Sequence, residues 1–400
     1  MSSRSSLLPL LYSADIVPTS LPHHTHLIDT YFSSDDLPHP SLDSPIPTLP
    51  SDIEHSRTIV LQATQELNDL LQGPRGIRKF PTQHTHLATN LEVAETPLKQ
   101  ILRMGIAHRV FSEPRPGILT HSAASRLIRE DEDIRARVGA GVEKLWLAAG
   151  RIVDALERWK GRGNTEETGF ALAHGEPFYN VPANDSARTA RFAKAMSSFT
   201  AGLVCALVHL VKGFAWEKLE SGGTIVDVGG STGDAAFALA RQYRDRKFKF
   251  AVQDLSEVVA GVDADRLAEA KELGVEFQAH DFFEIQPVQG ADVYVFRWIL
   301  HNLPDAYCVR MLRALEPALK KDARVLVMEM VLSPLGALPN DVERKVRAMD
   351  LTMLETGNAR ERELEEWQKL VASSDERFVW RGMRQPEGSR LAVLEWVWDG

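Results

Sequence analysis

The chain has 400 residues, 44% of them hydrophobic and 25% charged, which is the composition of a soluble globular protein long enough for two domains. Its formal net charge of −9 disfavours an extended surface for nucleic acid or for anionic membranes. The two cysteines, Cys205 and Cys308, form no disulfide framework and lack metal-ligand spacing, which favours a reducing compartment and no bound metal. The apolar run SLLPLLY at 6–12 is too short to cross a bilayer, so we expect a cytoplasmic protein.

The N-terminal part is predicted to contain an arm followed by helices. Residues 1–50 are rich in Pro, Ser, Asp and His, which predicts an extended arm. Apolar spacing over 56–71 indicates a helix with one apolar face. In TPLKQILRMG we predict a second helix, with Thr96 as N-cap, Pro97 as its first residue and Gly105 at its end. The segment VFSEPRPGILTHS then predicts two short strands around a Pro-Gly turn.

This order of helix and hairpin within residues 51–160 resembles a winged helix. Winged helices can bind DNA, but the helix that would enter the groove offers only Lys99 and Arg103, and the whole chain is acidic. We therefore interpret the segment as an interaction module, with sequence-specific DNA binding as the alternative. Residues 142–215 are helical again, with an interruption at GFALAHGEPFYNVPAND.

From Thr224 onward, short apolar runs alternate with helical segments. Five buried strands are predicted in TIVDVGG, FKFAVQD, VEFQAHD, ADVYVFRW and ARVLVMEMV, and a terminal pair in RFVWRGMR and SRLAVLEWVW. Such alternation is typical of an α/β fold with an open, largely parallel, doubly wound sheet. The strand C-termini then meet at one edge, where ligands bind.

Three of these strand ends carry residues suited to an adenosine-containing ligand. The glycines of DVGGSTGD, residues 227–234, permit a tight turn and let backbone amides approach a ligand. Asp254 follows at the spacing of an acidic residue that accepts ribose hydroxyls. Phe282 is placed to cover an adenine face and Asp281 to accept its exocyclic amine. ATP is disfavoured because no G-K-[ST] motif is present, and NAD because the G-x-G-x-x-G spacing is incomplete.

Six segments together carry a family resemblance that covers most of residues 56–400: TIVDVGGSTGDAAFALA, VQDLSEVV, HDFFEIQPV, ADVYVFRWILHNLPDAYCVRMLRALEPAL, RVLVMEMVL and MDLTMLETGNARERELEEW. They resemble the class I S-adenosylmethionine-dependent methyltransferases, and more narrowly the fungal and plant small-molecule O-methyltransferases of the caffeate/flavonoid type. The resemblance implies a Rossmann-like, seven-stranded sheet in residues 216–400 that binds S-adenosyl-L-methionine. It also implies an N-terminal helical and winged-helix domain in 51–160 that forms a homodimer, and a helical segment in 161–215 that covers the substrate.

The resemblance implies a role for individual residues on the cofactor side and at the reaction centre. Cofactor binding falls to Gly229, Asp254, Asp281, Phe282 and Arg297, and catalysis to His301 as general base with Glu329 and Glu361 beside it. A histidine with a pKa near 6.5 can take the proton of a phenol with a pKa near 10, an effect worth about 10²–10⁴ in rate. The competing interpretation of His301 is a histidine at a strand end that bonds only to backbone. Asn302 is predicted to cap the next helix, with Asp305 in its first turn.

The acceptor is less well defined by the sequence. Phe178, Met349, Thr352 and Met353 fall on stretches that line the pocket in the family, although each also suits an ordinary core position. An apolar and aromatic lining suits a phenolic or polyketide-derived metabolite. Relatives carry His-Asp-Trp where this chain has His301-Asn302-Leu303, and a glycine where it has Ser231. Two other functions stay open: a methyltransferase-like pericyclase or dehydratase that keeps the methyl group on the cofactor, and a non-catalytic regulator.

Overall fold

The structure, a computed structural model, describes residues 21–34, 49–72, 82–178, 194–195 and 203–400. The chain divides into two units, Met1–Glu130 and Asp131–Gly400. The described helices of the first unit are α1 (Leu21–Ser34), α2 (Ser51–Gln72), α3 (His84–Asn90), α4 (Glu95–Ala107) and α5 (Ala123–Glu130). Its strands, β1 (Thr82–Gln83), β2 (Phe111–Arg115) and β3 (Ile118–His121), form a small sheet with β3 in the middle.

Two local predictions in this unit need correction. The segment predicted as an extended arm contains α1, in which Phe32 is only 2% exposed and His24 hydrogen-bonds Ser56 of α2 at 3.1 Å. Helix α4 begins at Glu95 with Ala94 as N-cap and continues past Gly105 to Ala107. Thr96 therefore lies inside the first turn, next to a carboxylate that the helix dipole favours there. The predicted helix over 56–71 and the hairpin after α4 are confirmed.

The second unit begins with short helices. They are α6 (Glu132–Ala140), a π-helical turn (Gly141–Leu145), α7 (Trp146–Ala149), α8 (Ile152–Trp159), α9 (Gly169–His174) and α10 (Val208–Gly213). The helices that accompany the large sheet are α11 (Asp234–Gln242), α12 (Ser256–Ala260), α13 (Ala264–Leu273), α14 (Asp305–Leu315), α15 (Asn340–Gly357) and α16 (Leu364–Ser374). Within the described part of the chain, no helix is both long and apolar enough to cross a membrane.

The large sheet confirms the predicted α/β, doubly wound architecture. Its strands are β4 (Thr224–Val228), β5 (Lys249–Asp254), β6 (Val275–Ala279), β7 (Val293–Arg297), β8 (Arg324–Leu332), β9 (Arg362–Glu363), β10 (Phe378–Arg384) and β11 (Leu391–Trp398). Seven of them run in the order β10-β11-β8-β7-β4-β5-β6, and β9 pairs with the end of β8 outside that order. Strands β4 to β8 pair in parallel, while β10 and β11 are antiparallel.

Both faces of the sheet are covered, which explains why its central strands are continuous apolar runs. Along β8, Leu326 and Met328 belong to the core on one face, and Val325 and Val327 to the core on the other. Glu329 continues this strand with 0% exposure. A carboxylate so placed needs nearby partners, and it lies at the edge where the parallel strands end.

Candidate active site

The loop after β4 depends on glycine at three positions. Gly229 has φ of +70°, and a Cβ atom there would lie 2.5 Å from Cδ1 of Ile299. A Cβ atom at Gly230 would lie 2.7 Å from the carboxylate of Asp227. Gly233, with φ of +78°, is the N-cap of α11. The loop is therefore narrow enough for its backbone amides to reach a ligand.

Asp254 is the last residue of β5 and ties this loop to the next strand. One carboxylate oxygen accepts a hydrogen bond from the backbone N–H of Ser231 at 2.9 Å, and the other from Leu255 at 2.8 Å. Burial raises the pKa of Asp254 above its ordinary value, although these two N–H groups act in the opposite direction. A carboxylate accepts about four hydrogen bonds, so acceptor positions remain for ribose hydroxyls.

Asp281 and Phe282 follow β6, whose last residue, Ala279, pairs with Asp254. An oxygen of Asp281 accepts a hydrogen bond from the backbone N–H of Phe283 at 2.9 Å. The rings of Phe282 and Phe283 meet edge to face with centroids 4.8 Å apart. The structure thus brings the glycine loop, Asp254 and this aromatic pair to neighbouring strand ends, as the sequence pattern predicts.

His301 lies in a 3₁₀ turn, Leu300–Asn302, between β7 and α14. The side chain is 5% exposed, and its Nδ1 lies 2.8 Å from a carboxylate oxygen of Glu361. Because an ionised carboxylate only accepts hydrogen bonds, the neutral imidazole carries its proton on Nδ1 and keeps Nε2 as an acceptor. Burial opposes the charged imidazolium, but Glu329 and Glu361 together raise the pKa of His301 above its ordinary value.

The two glutamates beside His301, Glu329 and Glu361, bond different groups. Glu329 accepts hydrogen bonds from the backbone N–H groups of Ile299 at 2.8 Å and Leu300 at 2.9 Å, so it anchors the turn and not the ring. Burial raises the pKa of Glu329 to about 7, which the positive charge of His301 opposes. Glu361 bonds the imidazole, and its own backbone N–H donates to Asp350 at 2.9 Å. Glu361 is therefore the residue that fixes the ring.

Arg362 stabilises the same turn through hydrogen bonds to its carbonyl groups, a role that the sequence pattern did not indicate. Its guanidinium is 0% exposed and donates to the carbonyls of Leu300 at 3.1 Å and Leu303 at 2.9 Å. It also donates to a carboxylate oxygen of Asp305 at 2.7 Å. A planar guanidinium with five donors can hold both carbonyls and a carboxylate at once. The signal in the sequence was only a second arginine in NARERELEEW.

The predicted helix cap at Asn302 is wrong. Helix α14 begins at Asp305 with Pro304 as N-cap, and the amide of Asn302 donates instead to the carbonyl of Trp298 at 2.8 Å. The 3₁₀ turn holds Asn302 away from the helix, while Pro304 adopts the extended backbone of a cap. Asp305 lies in the first helical turn, as predicted.

Trp298 carries backbone strain directly beside the histidine. Its φ of +58° is uncommon for a bulky side chain, and its ring lies 4.7 Å from the His301 ring. The indole Nε1 is buried and has no hydrogen-bond partner among the described residues. Strained residues of this kind collect at functional sites, where the surrounding structure holds them in place.

Helix α15 brings a further set of predicted residues near this turn. A Cβ atom at Gly357 would lie 2.8 Å from the carbonyl oxygen of Asn302, so the end of α15 touches the turn through its backbone. Met353 is 7% exposed, and Met349 packs against the core on one face of the sheet. The hydroxyl of Thr352 donates within its own helix, to the carbonyl of Ala348 at 3.0 Å. A substrate role for these side chains stays a prediction.

Phe178 and the end of α15 both contact the segment around α9. The ring of Phe178 meets the fully buried ring of Phe170 edge to face at 5.0 Å. Asn358, in the left-handed conformation with φ of +50°, donates through its side-chain amide to the carbonyls of Asn164 at 2.7 Å and Glu167 at 2.8 Å. One amide thus joins the loop before α9 to α15.

The sequence profile of the O-methyltransferase domain matches residues 154–375. This chain belongs to the O-methyltransferase family. Chlorophenol O-methyltransferase of Trichoderma longibrachiatum is 33% identical and covers 94% of this chain and 88% of its own length. The grayanic acid biosynthesis cluster O-methyltransferase of Cladonia grayi is 36% identical and covers 94% of this chain and 86% of its own length. The predicted enzyme class and the fungal branch of the family are confirmed.

Solved structures agree on the fold. OxaC in complex with SAH and oxaline has a TM-score of 0.71 at 18% identity and covers 95% of this chain and 99% of that chain. A structure described as a pericyclic reaction enzyme has a TM-score of 0.66 at 18% identity and covers 98% of each chain. At these identities the likeness shows a shared fold, the Rossmann-like sheet of class I methyltransferases.

S-adenosyl-L-methionine is the cofactor of this O-methyltransferase. Buried polar atoms without hydrogen-bond partners lie beside the glycine loop, as a site for a polar ligand requires. Asp227 is 4% exposed, and burial raises its pKa to about 7 against the pull of Arg297. One oxygen of Asp227 and Nε of Arg297 have no hydrogen-bond partner among the described residues. Nη2 of Arg297 donates to the carbonyl of Cys205 at 2.6 Å. The sequence pattern did not single out Asp227, because a carboxylate inside a strand motif looks like part of the turn.

Metal assistance has no candidate site in the described ranges. No group of three or more His, Cys, Asp and Glu side chains there is placed to hold an ion.

Proposed function

We propose that this O-methyltransferase methylates a hydroxyl group of a phenolic or polyketide-type secondary metabolite, with His301 as general base. The observation that carries the proposal is the buried bond of 2.8 Å between Nδ1 of His301 and Glu361 at the carboxyl edge of the sheet. That bond directs the basic nitrogen away from Glu361. A histidine that only filled space at a strand end would not need a buried carboxylate partner.

The bound cofactor supplies an electrophilic methyl group. Ionising a phenol with a pKa near 10 at pH 7 costs about 4 kcal/mol, so attack is faster when a base takes the proton as the bond to carbon forms. Nε2 of His301 takes that proton. Glu361 then stabilises the imidazolium, while Glu329 and Arg362 keep the turn in position.

The cofactor contacts follow from the strand ends. Asp254 accepts the ribose hydroxyls, Phe282 covers the adenine ring and Asp281 accepts its amine. The backbone at Gly229, together with Arg297 and Asp227, holds the amino-acid end. These assignments are supported by the tight loop and by the unpartnered buried atoms beside it.

The acceptor class is supported by two observations. Relatives are named for a chlorophenol substrate and for a grayanic acid biosynthesis cluster. In addition, Phe178, Met349 and Met353 offer apolar and aromatic surface in the helical part of the same unit, and Thr352 adds one hydroxyl. Such a lining suits a flat acceptor with few polar groups.

Methyl transfer and the pericyclic alternative are separated by one experiment. Purified protein is incubated with methyl-labelled S-adenosylmethionine and a panel of phenolic and polyketide acceptors, and both labelled product and S-adenosylhomocysteine are measured. We expect the two to appear in equal amounts. An acceptor that is rearranged or dehydrated while no S-adenosylhomocysteine forms would overturn the proposal in favour of a methyltransferase-like pericyclase.

We also propose that the enzyme is a homodimer. On the short helices at the start of the second unit, Val142 is 63% exposed, Trp146 78% and Val153 65%, an apolar surface that a second copy would cover. Size-exclusion chromatography with light scattering should give twice the chain mass of 44.6 kDa. A monomer at micromolar concentration would refute the dimer, and Trp146→Ser should shift a true dimer toward monomer.

A further inference from the structure

A cavity lies at the end of β8 opposite the carboxyl edge of the sheet. It has a volume of about 310 Å³ and is bounded by the segment after α10 and by strands β8, β10 and β11. Arg324, which lines it, is the first residue of β8, whereas Glu329 lies five positions along the same strand. At roughly 3.3 Å per residue, the two ends are about 16 Å apart. The cavity is therefore separate from the site around His301.

The charged side chains that line this cavity are mostly basic. They are Lys218, Arg324, Arg381 and Arg384, with Glu395 as the one carboxylate. Glu395 forms an ion pair with Arg324, whose guanidinium also lies 5.8 Å from the ring of Phe214. Lys218, Arg381 and Arg384 have no acidic partner among the described residues. In a chain with a net charge of −9, three uncompensated cations around one cavity are a local feature and not a result of composition.

A β-bulge in β10 brings two of these cations, Arg381 and Arg384, to the cavity. Trp380 pairs with Trp396, but Gly382 pairs with Glu395, so Arg381 is the extra residue of the bulge. The shift places Arg384 opposite Val393, on the face that lines the cavity. Without it, every later side chain of the strand would point to the opposite face.

A glycine lies at the same bulge and lines the cavity. Gly382 has φ of +145°, a conformation that favours glycine, and nothing lies within 4 Å of where its Cβ atom would be. Phe214, 8% exposed, and Val393, 2% exposed, supply apolar surface beside the cations. The cavity thus combines a small apolar wall with unpaired arginines and a lysine.

We propose that this cavity binds a small phosphate or diphosphate ester, separately from methyl transfer. Arginine guanidinium groups match phosphate oxygens with paired hydrogen bonds, and lysine adds a compact positive charge. A multiply charged anion compensates three cations more fully than a monocarboxylate does. The volume is at the lower end of the range for ligand sites, which fits a phosphorylated small molecule better than a large flat metabolite.

The test is isothermal titration calorimetry of the full chain at constant ionic strength, with sodium pyrophosphate as probe and with citrate as a comparably charged anion without phosphorus. We expect pyrophosphate to bind with one site per chain and citrate to bind more weakly. Because it removes two of the three unpaired cations, the double variant Arg381→Ser, Arg384→Ser should weaken pyrophosphate binding about tenfold or more. Both side chains are exposed, so the variant should fold, as circular dichroism would verify.

A matched control removes two positive charges elsewhere. Arg344→Ser with Lys369→Ser, both exposed on α15 and α16, should leave pyrophosphate affinity unchanged. The proposal is overturned if wild type gives no heat with millimolar pyrophosphate, if citrate binds as tightly, or if the control loses the same affinity. It is also overturned if saturating S-adenosylhomocysteine abolishes binding, because the anion would then occupy the active site.

Discussion

The turn that carries His301 and the glycine loop after β4 follow neighbouring strands, but they are held in place by different means. The glycine loop owes its shape to its own backbone, with positive φ at Gly229 and Gly233. The turn owes its shape to buried charged side chains from other strands and turns. Glu329 holds its N–H groups and Arg362 holds its carbonyls.

This difference decides how each region can fail. A loop shaped by backbone conformation fails when a side chain is added to it. A turn shaped by buried charges fails when one charge is removed, because the partner atoms are left without hydrogen bonds in a dry environment. The following predictions test that contrast, from the largest expected effect to the smallest.

Replacing His301 should affect chemistry and not cofactor binding. His301→Ala removes the base, and we expect turnover to fall about 10²–10⁴-fold while the affinity for S-adenosylmethionine stays within about twofold. Turnover is measured by product formation and affinity by calorimetry. The exposed His108→Ala serves as control and should retain full activity. A parallel loss of cofactor affinity in the His301 variant would show that the histidine is structural.

Two arginines that share the carboxylate of Asp305 should differ sharply. Arg362→Met leaves the carbonyls of Leu300 and Leu303 without a donor and should reduce the free energy of unfolding by about 3–5 kcal/mol. Arg360→Met removes ion pairs with Asp305 and Glu366, whose side chains are 49% and 35% exposed, so the loss should be about 0–1 kcal/mol for each pair. Urea denaturation measures both. Equal losses would contradict the role given to Arg362.

Replacing glycine with alanine should destabilise the protein by different amounts at two positions with similar φ. In Gly229→Ala the positive φ costs about 1–2 kcal/mol, and the new methyl group also clashes with Ile299. Gly336→Ala, at φ of +82° with open space around it, meets the strain alone. Thermal unfolding should show a larger loss for the first variant, and only that variant should lose affinity for S-adenosylmethionine. Unchanged cofactor affinity in Gly229→Ala would argue against the loop as a binding element.

The smallest expected effect is a shift in the pH dependence of kcat/KM. His301 acts only when neutral, and the two glutamates raise its pKa, so activity should rise as the pH increases through that raised value. Glu361→Gln keeps a hydrogen-bond acceptor but removes a negative charge, which lowers the pKa of His301 and moves the acidic limb of kcat/KM to lower pH. Glu365→Gln, whose carboxylate is 83% exposed, is the control. An acidic limb that moves upward or stays in place would falsify the assignment.

Features that depend on residues close together in the sequence could be predicted from it. The apolar runs gave the strands, the spacing gave Asp254 its place at a strand end, and the family resemblance singled out His301. The hydrogen bonds that Arg362 and Glu329 make to the turn could not be predicted from the sequence, because they join distant parts of the chain. Arg362 bonds a carbonyl 62 positions away, and Glu329 bonds a backbone N–H 30 positions away. The same holds for the basic cavity, where a bulge of one residue decides which face Arg384 occupies.

The amide of Asn358 has a consequence for motion between α15 and the loop before α9. Because it bonds two carbonyls of the segment before α9 at once, α15 and that segment cannot separate gradually at this point. Any opening there must break both bonds. We therefore expect the end of α15 and the loop before α9 to move as one piece.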